Sequence, residues 1–472
     1  MHSRRDQVEA HTFVANRLRA AMLSAQPDLP RTPLRRTPTG LAIGLVLALL
    51  VTGVVVLLGM LRPTTSPAWR KPGTLIVEKG TGSRFLFIGG TLHPVLNYAS
   101  ARLLIGAKMA TAEAGSATLD RMPIGSPLGT PWAPDSLPPH QPTASSNWLT
   151  CLGPASIVDT GPRPVSLLLN PALSTRALPS DAAIVAAAPD GGKYLIEGGR
   201  RMRVTADWVL RALGADNTNA VNVRSAWLDT LPAGPDLVAL PSDGAGAPGP
   251  TLDGHATAVG QVLVAQMGAN GTHHYLVTSG GLMSISATAA ELALGAPTAE
   301  LAYRGQNAQP IEVSAPAVAA QPITPTPPQL SGMAAPPQFA AIDDADVPCV
   351  QTTSNGGTFQ TTLVTAQVNQ IEASGQTVQS STALGLANTD RTADHVAVPP
   401  NDGLLARTTP VPGDSSGSMF LVTSMGAKYP IANDDAAVAL GYAAADVVPV
   451  PPEILDLLPT GPRLARPEGG GA

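Results

Sequence analysis

Residues Thr39 to Leu61 read TGLAIGLVLALLVTGVVVLLGML, without a charge or a proline. As a helix rising about 1.5 Å per residue, the stretch reaches roughly 34 Å, enough to cross a hydrocarbon core of about 30 Å. A cleaved leader would carry a shorter apolar run and a small-residue cleavage site, whereas LRPTTSPAWRK follows here, so the stretch reads as a retained anchor. It divides the chain into a tail (1–38), the span (39–61) and a body of more than 400 residues.

The tail carries seven arginines against three acids, with Arg31, Arg35 and Arg36 beside the span. Arg62, Arg70, Lys71 and Lys79 follow the span, so the local count of basic residues is tied at four on each side. Long domains translocate largely regardless of charge, and the short tail therefore decides: tail in the cytoplasm, body outside. Within the tail, Val8, Phe13, Val14, Leu18, Ala21 and Met22 recur at helical spacing among Arg4, Arg5, Arg17 and Arg19, until Pro27 and Pro30 end the pattern. Such a helix suits an anionic lipid surface or a docking cytoplasmic protein.

Net charge is −5, and without the +4 tail the remainder is −9, so the body lacks the basic field that nucleic acid requires. Its plan is repetitive. Four segments, FLFIGGTLHPVLNYASARLLIG from Phe85, YLIEGGRRMRVTADWVLRALG from Tyr194, YLVTSGGLMSISATAAELALG from Tyr275 and FLVTSMGAKYPIANDDAAVALG from Phe420, share one order of signals. Each has a short aromatic and β-branched run, a glycine turn (Gly89-Gly90, Gly198-Gly199, Gly280-Gly281 or Gly426) and a second run. Then come a helix-capping residue (Asn97, Thr205, Ser286 or Asn433) and, eight or nine positions on, Gly106, Gly214, Gly295 or Gly441 at the expected left-handed C-terminus. The expected unit is strand, turn, strand, two-turn helix.

Units two and four also share tails, LDTLPAGPDL from Leu228 and LDLLPTGPRL from Leu455. So small a unit buries too little alone and must lean on its neighbours or on the proline-rich sequence between them. The expected fold class is α+β: one transmembrane helix and an elongated extracytoplasmic body of four β-β-α repeat domains (72–122, 191–240, 255–309, 413–464) around a central, mainly β domain in two parts (123–190 and 310–412), with a flexible tail at 465–472.

Chemistry is sparse. No GxxxxGK[ST] string exists, and Gly192-Lys193 lacks the leading glycine. Gly244, Gly246 and Gly249 fit GxGxxG but sit among prolines, as a linker would. GDSSG at 413–417 fits GxSxG, yet a strand follows its serine where a nucleophile elbow needs a helix. The histidines, including adjacent His273-His274, have no metal-ligand spacing, and His93 reads as a packing residue. No catalytic residue, cofactor or metal ligand is assigned.

The two cysteines, Cys151 and Cys349, one in each central part, carry the remaining signal. In an oxidising compartment they are expected to pair, closing a loop of roughly 200 residues; the alternative is two buried thiols. On the span, Gly40, Gly44, Ala48 and Thr52 fall four apart, a candidate packing face for another helix.

DQVEAHTFVANRLRAAM in the tail, the single span, LHPVLNYASARLLIG, RMPIGSPLGTPWAPDSLP and the terminal LDLLPTGPRL together resemble the EccB family, membrane components of actinobacterial type VII (ESX) secretion systems. The resemblance covers essentially the whole chain. It implies a bitopic anchor whose four repeat domains surround a central domain, assembled with the EccC motor ATPase, EccD, EccE and a mycosin protease to export small helical WXG-type proteins. Members are sometimes labelled ATPases, but no residues here carry that activity over. The family's repeats also resemble wall-binding modules of a phage lysin, which suggests a peptidoglycan contact without naming a residue. A structural subunit, a nucleotide hydrolase and a wall-binding module are therefore the competing functions, the first being favoured.

Overall fold

In the computed structural model, residues 4–24, 37–61, 67–140, 145–154, 161–216, 218–268, 271–324, 333, 335–343, 345–355, 357–374, 376–377, 385–409 and 416–467 are described. Pro27, Pro30, Arg31, Arg35, Arg36, Arg62 and residues 413–415 of the GDSSG string lie outside them. The tail forms a helix, Arg4–Ser24, whose Val8, Phe13, Val14, Leu18 and Met22 are exposed. A second helix, Thr37–Leu61, contains Thr39–Leu57, the one helix among the described residues long and apolar enough to cross a membrane.

The body is largely β. A seven-stranded sheet, in the spatial order Gln376–Thr377, His395–Ala397, Val165–Leu169, Ser145–Leu152, Asp346–Asn355, Thr358–Gln367 and Thr175–Ala177, is built from both cysteine-bearing parts of the sequence. Val165–Leu169 is buried at every position, Ser166 included, and its nearly continuous apolar run VSLLL suits a strand covered on both faces. Alternation sorts the two faces. Trp148, Leu167, Leu169, Val350 and Leu363 join one large core with Ile184, Ile196, Trp227, Ile454 and Leu455, while Leu149, Cys151, Leu168, Cys349, Val364 and Ile371 form a separate core.

Four further sheets each contain one of the glycine-turn segments, and each is larger than two strands and a helix. An additional strand precedes the hairpin, at Thr74–Lys79, Ala182–Ala187, Val262–Gln266 and Gly403–Thr408. Another follows the helix, at Ala110–Gly115, Val221–Asn222, Ile311–Glu312 and Val447–Val450, and lies parallel to the first. The spatial order along each sheet is therefore third, second, first, fourth. These extra strands correct the β-β-α expectation: a hairpin leaves an edge of its first strand open, and a parallel strand can close it only after a helical crossover.

After the fourth strand the chain returns to the outer edge of the third. There Leu92, Arg201, Leu282 and Lys428 donate their backbone N–H groups to the carbonyls of Pro123, Pro232, Pro322 and Pro459 at 2.8, 3.0, 2.8 and 2.9 Å. Proline suits this position because only its carbonyl is needed. LDRMPIGSPL at 119–128 thus occupies the place that LDTLPAGPDL and LDLLPTGPRL occupy in their own sheets.

The helices pack in pairs: Tyr98–Ile105 on Asp434–Leu440, and Asp207–Ala212 on Ala287–Gly295. Asn97, Ser286 and Asn433 cap theirs, accepting from Ser100, Ala289 and Ala436 amides at 2.9, 3.1 and 2.9 Å. Thr205 does not. The cap position is Ala206, and the Thr205 hydroxyl donates instead to the Leu237 carbonyl at 2.7 Å. Gly295 is also not a left-handed terminus but the last residue of its helix, where a Cβ would stand 2.3 Å from that of Ala212. Its role is to let two helices approach.

Candidate functional site

Cys151 and Cys349 are bonded to each other. They stand directly opposite in the antiparallel pair of Ser145–Leu152 and Asp346–Asn355, with Cα atoms 4.0 Å apart, the short separation of a cross-strand pair. Both are fully buried under the helix Val368–Ser374 and its Ile371. The bond ties the sheet's two contributing segments across a sequence separation of 198.

On the opposite face of that sheet, the sequence pattern hides a chain of charges. Arg201 pairs with Asp229, and Asp229 Oδ2 is 2.9 Å from Arg391 Nη1. Arg391 Nε lies 3.4 Å from Asp456 Oδ2, and Asp456 Oδ1 lies 3.5 Å from Lys428 Nζ. Asp229 and Asp456 are the second residues of LDTLPAGPDL and LDLLPTGPRL, and Arg201 and Lys428 are the residues that bond Pro232 and Pro459. The two ends of the chain therefore match position for position, with Arg391 between them.

Beneath it the helices Ser225–Asp229 and Pro452–Asp456 touch, and Trp227 Nε1 donates to the Thr150 carbonyl of the central sheet at 3.0 Å. Arg224 adds an ion pair to Asp394 at 2.9 Å. The Lys428 side chain is only 9% exposed, donates to the Leu455 carbonyl at 2.8 Å and sits over the Phe420 ring. Burial lowers its pKa, which the Asp456 charge partly offsets.

The second sheet touches the central one through its glycine turn. At Gly199, φ is 70°, and a Cβ there would stand 2.0 Å from the Thr361 carbonyl oxygen. Neighbouring Glu197 has a buried Oε2 with no hydrogen-bond partner. Burial, reinforced by the Asp181 charge, pushes its carboxyl up to about 7.

Lys193 of the Gly192-Lys193 pair is engaged with Asp207 at 3.0 Å. Gly249 lies in a strand, Pro248–Leu252, hairpinned with His255–Ala258, so GxGxxG falls on a turn and a hairpin and not on a bare linker. His93 Nδ1 is 3.0 Å from the Ser126 carbonyl, and His273-His274 lie in the strand Thr272–Thr278. Among the described residues no group of three or more His, Cys, Asp or Glu could hold a metal. Gly40, Gly44, Ala48 and Thr52 are exposed along their helix, with the Thr52 hydroxyl donating to the Ala48 carbonyl at 2.7 Å.

The family profile described as type VII secretion system ESX-1, transport TM domain B, matches residues 1–469. The chain belongs to the EccB family. An EccB relative from Mycobacterium tuberculosis (strain ATCC 25618 / H37Rv), named ESX-2 secretion system ATPase EccB2, is 28% identical, covering 98% of this chain and 94% of that protein. The ESX-5 secretion system ATPase EccB5 of Mycobacterium marinum (strain ATCC BAA-535 / M) is also 28% identical, over 98% and 92%.

Among solved structures, a chain of the periplasmic assembly from the ESX-5 inner membrane complex matches with a TM-score of 0.65 at 25% identity, covering 84% of this chain and 94% of that one. A chain of an intact ESX-5 inner membrane complex matches with a TM-score of 0.68 at 24% identity, over 99% and 94%. An EccB3 dimer from the ESX-3 core complex shares the fold at a TM-score of 0.65 and 24% identity, over 84% and 100%.

Proposed function

We propose that this EccB-family chain is a structural core subunit of a type VII (ESX) inner-membrane secretion complex, needed for export of small helical WXG-type proteins. The family match carries the reading, because it runs from the basic tail through the span to the last sheet without selecting any one module. The chain is a single-pass anchor of the cell membrane with its tail in the cytoplasm and its body outside. The bonded cysteines favour that side, since a reducing cytoplasm would keep them as thiols. The match at 25% identity to a chain of the periplasmic assembly of an ESX-5 inner membrane complex supports it too.

The four sheets are read as repeats of one module, the second and fourth sharing a core with the central sheet and the third and first packed on them through paired helices. Their common strand order supports this, as does the recurrence of L-D-x-x-P-x-G-x-x-L in three of them. On this reading the repeats begin one strand before their glycine-turn segments, at Thr74, Ala182, Val262 and Gly403. The partners are EccC, EccD, EccE and the mycosin protease, with the small-residue row from Gly40 to Thr52 open to another helix in the bilayer. Cell-wall peptidoglycan is a second surface the repeats could contact, and no residue is assigned to it.

The reading gives the chain no catalytic step, despite the ATPase in its relatives' names. The sequence has no P-loop, and Lys193, the lysine of its one Gly-Lys pair, is engaged with Asp207. Purified full-length protein in detergent should release no phosphate from ATP above the buffer rate. Turnover that survives further purification and is abolished by a single substitution would contradict the structural role.

A further inference from the structure

We propose that the turn end of the first sheet rests on the headgroups of an anionic bilayer, making a second, peripheral membrane contact beside the span. The inference depends on the membrane-anchored reading of the helix Thr37–Leu61. That helix ends at Leu61 and the body resumes at Pro67, so six backbone steps of at most about 3.6 Å limit the separation to roughly 22 Å. The headgroup layer itself takes up several ångströms of this. The start of the body therefore stays within that distance of the end of the span, close enough for its first sheet to reach the headgroups.

The register defines which residues those are. The first strand starts at Thr74, opposite Ala110 of the fourth, and the Leu75↔Leu86 pairing brings Ile88 opposite Gly73. Ile88 leads into the Gly89-Gly90 turn, and the returning segment bridges Ile124 to Leu92 just beyond it. Ile88 is 42% and Ile124 68% exposed, two branched apolar side chains in water at the end where the chain enters its first strand. On the segments that lead into the first and fourth strands and up to Ile124, Arg70, Lys71, Lys108 and Arg121 are exposed, against one exposed acid, Asp120. At the far end of the same sheet the charges are mixed and paired, with Thr81 bonded to Glu78, Lys79 beside Glu113 and Arg84 bonded to Asp135. Exposed isoleucines with exposed bases on the adjoining segments match the chemistry of an anionic interface, where apolar tips enter the headgroup boundary and cations meet lipid phosphates.

The test uses full-length protein in nanodiscs of phosphatidylglycerol, with Ile88→Cys, Ile124→Cys, Thr81→Cys or Val51→Cys labelled by a thiol-reactive fluorophore. Among the described residues no native cysteine is free to compete. Headgroup spin-labelled lipid should quench labels at positions 88 and 124 at least threefold more than the label at 81, and zwitterionic lipid should reduce that ratio. Equal quenching at all three positions overturns the proposal. So does a label at 124 that is shielded from aqueous iodide yet untouched by lipid, which would mean that protein covers this end. The label at Val51 separates the two levels: if a deep acyl-chain quencher leaves it bright, the anchor reading itself fails. If it is quenched while 88 and 124 are not, only the surface contact fails.

Discussion

Removing the disulfide should weaken the central sheet by an amount set mainly by chain length. In the chain-entropy description, a link across a separation of 198 lowers the unfolded chain's entropy by about 5 kcal/mol, an upper figure because engineered and native links usually deliver less. Cys151→Ala with Cys349→Ala keeps the site apolar and leaves no lone thiol in a fully buried position. Trp148 lies three residues from Cys151, and Trp227 bonds the Thr150 carbonyl, so indole fluorescence reports on this sheet. With a guanidinium m-value of about 4 kcal/mol/M, a loss of about 3 to 5 kcal/mol lowers the midpoint by roughly 1 M. Full-length protein in mild detergent, followed by tryptophan emission, should show that shift. A change below about 0.2 M would refute the view that the bond stabilises by restraining the long intervening chain.

Arg391→Ala should leave Asp229 and Asp456 without their shared cation and destabilise the body by about 1 to 3 kcal/mol, a loss that Arg391→Lys restores only in part; denaturation followed by tryptophan emission measures it. Glu197→Gln tests the raised carboxyl. Because its folded pKa of about 7 exceeds the unfolded value of 4.5, the contribution of this group to native stability is greatest below 4.5, falls as pH rises through that window, and is least above 7. The Gln variant should flatten that decline in thermal melts at pH 5, 6, 7 and 8, and an unchanged slope would remove Glu197 as its cause. In the span, Gly44→Leu should disrupt assembly on native gels through steric bulk at the small-residue row, and intact assembly would count against a packed face there.

Much of the fold is written in local chemistry. Gly198-Gly199 and the cap residues Asn97, Ser286 and Asn433 mark turns and helix starts because each meets a backbone need within a few residues. The first strands Ala182–Ala187 and Gly403–Thr408 are harder to see, since AAIVAA and GLLART show no strict alternation and their meaning comes from parallel partners 35 and 42 residues away. Thr205 illustrates competition: its hydroxyl finds the Leu237 carbonyl, so the cap position passes to Ala206.

The charge chain had a trace in the sequence, the aspartate common to LDTLPAGPDL and LDLLPTGPRL. Arg391, which joins those two aspartates, lies in no recurring motif, and only the folded arrangement brings it between them. Likewise LDRMPIGSPL differs enough in its middle residues that its kinship with the other two tails emerges from shared hydrogen bonds to the third strand.

The central claim is that the chain works as a membrane-anchored subunit of a larger secretion complex. Its most direct test is isolation of the full-length, C-terminally tagged protein from native membranes in mild detergent, with mass spectrometry of the size-fractionated eluate. The structural role predicts elution in a high-mass complex containing the EccC motor, EccD, EccE and the mycosin protease. A protein recovered alone, at the mass of a monomer or dimer, with those subunits present in the same membranes but eluting elsewhere, would contradict it.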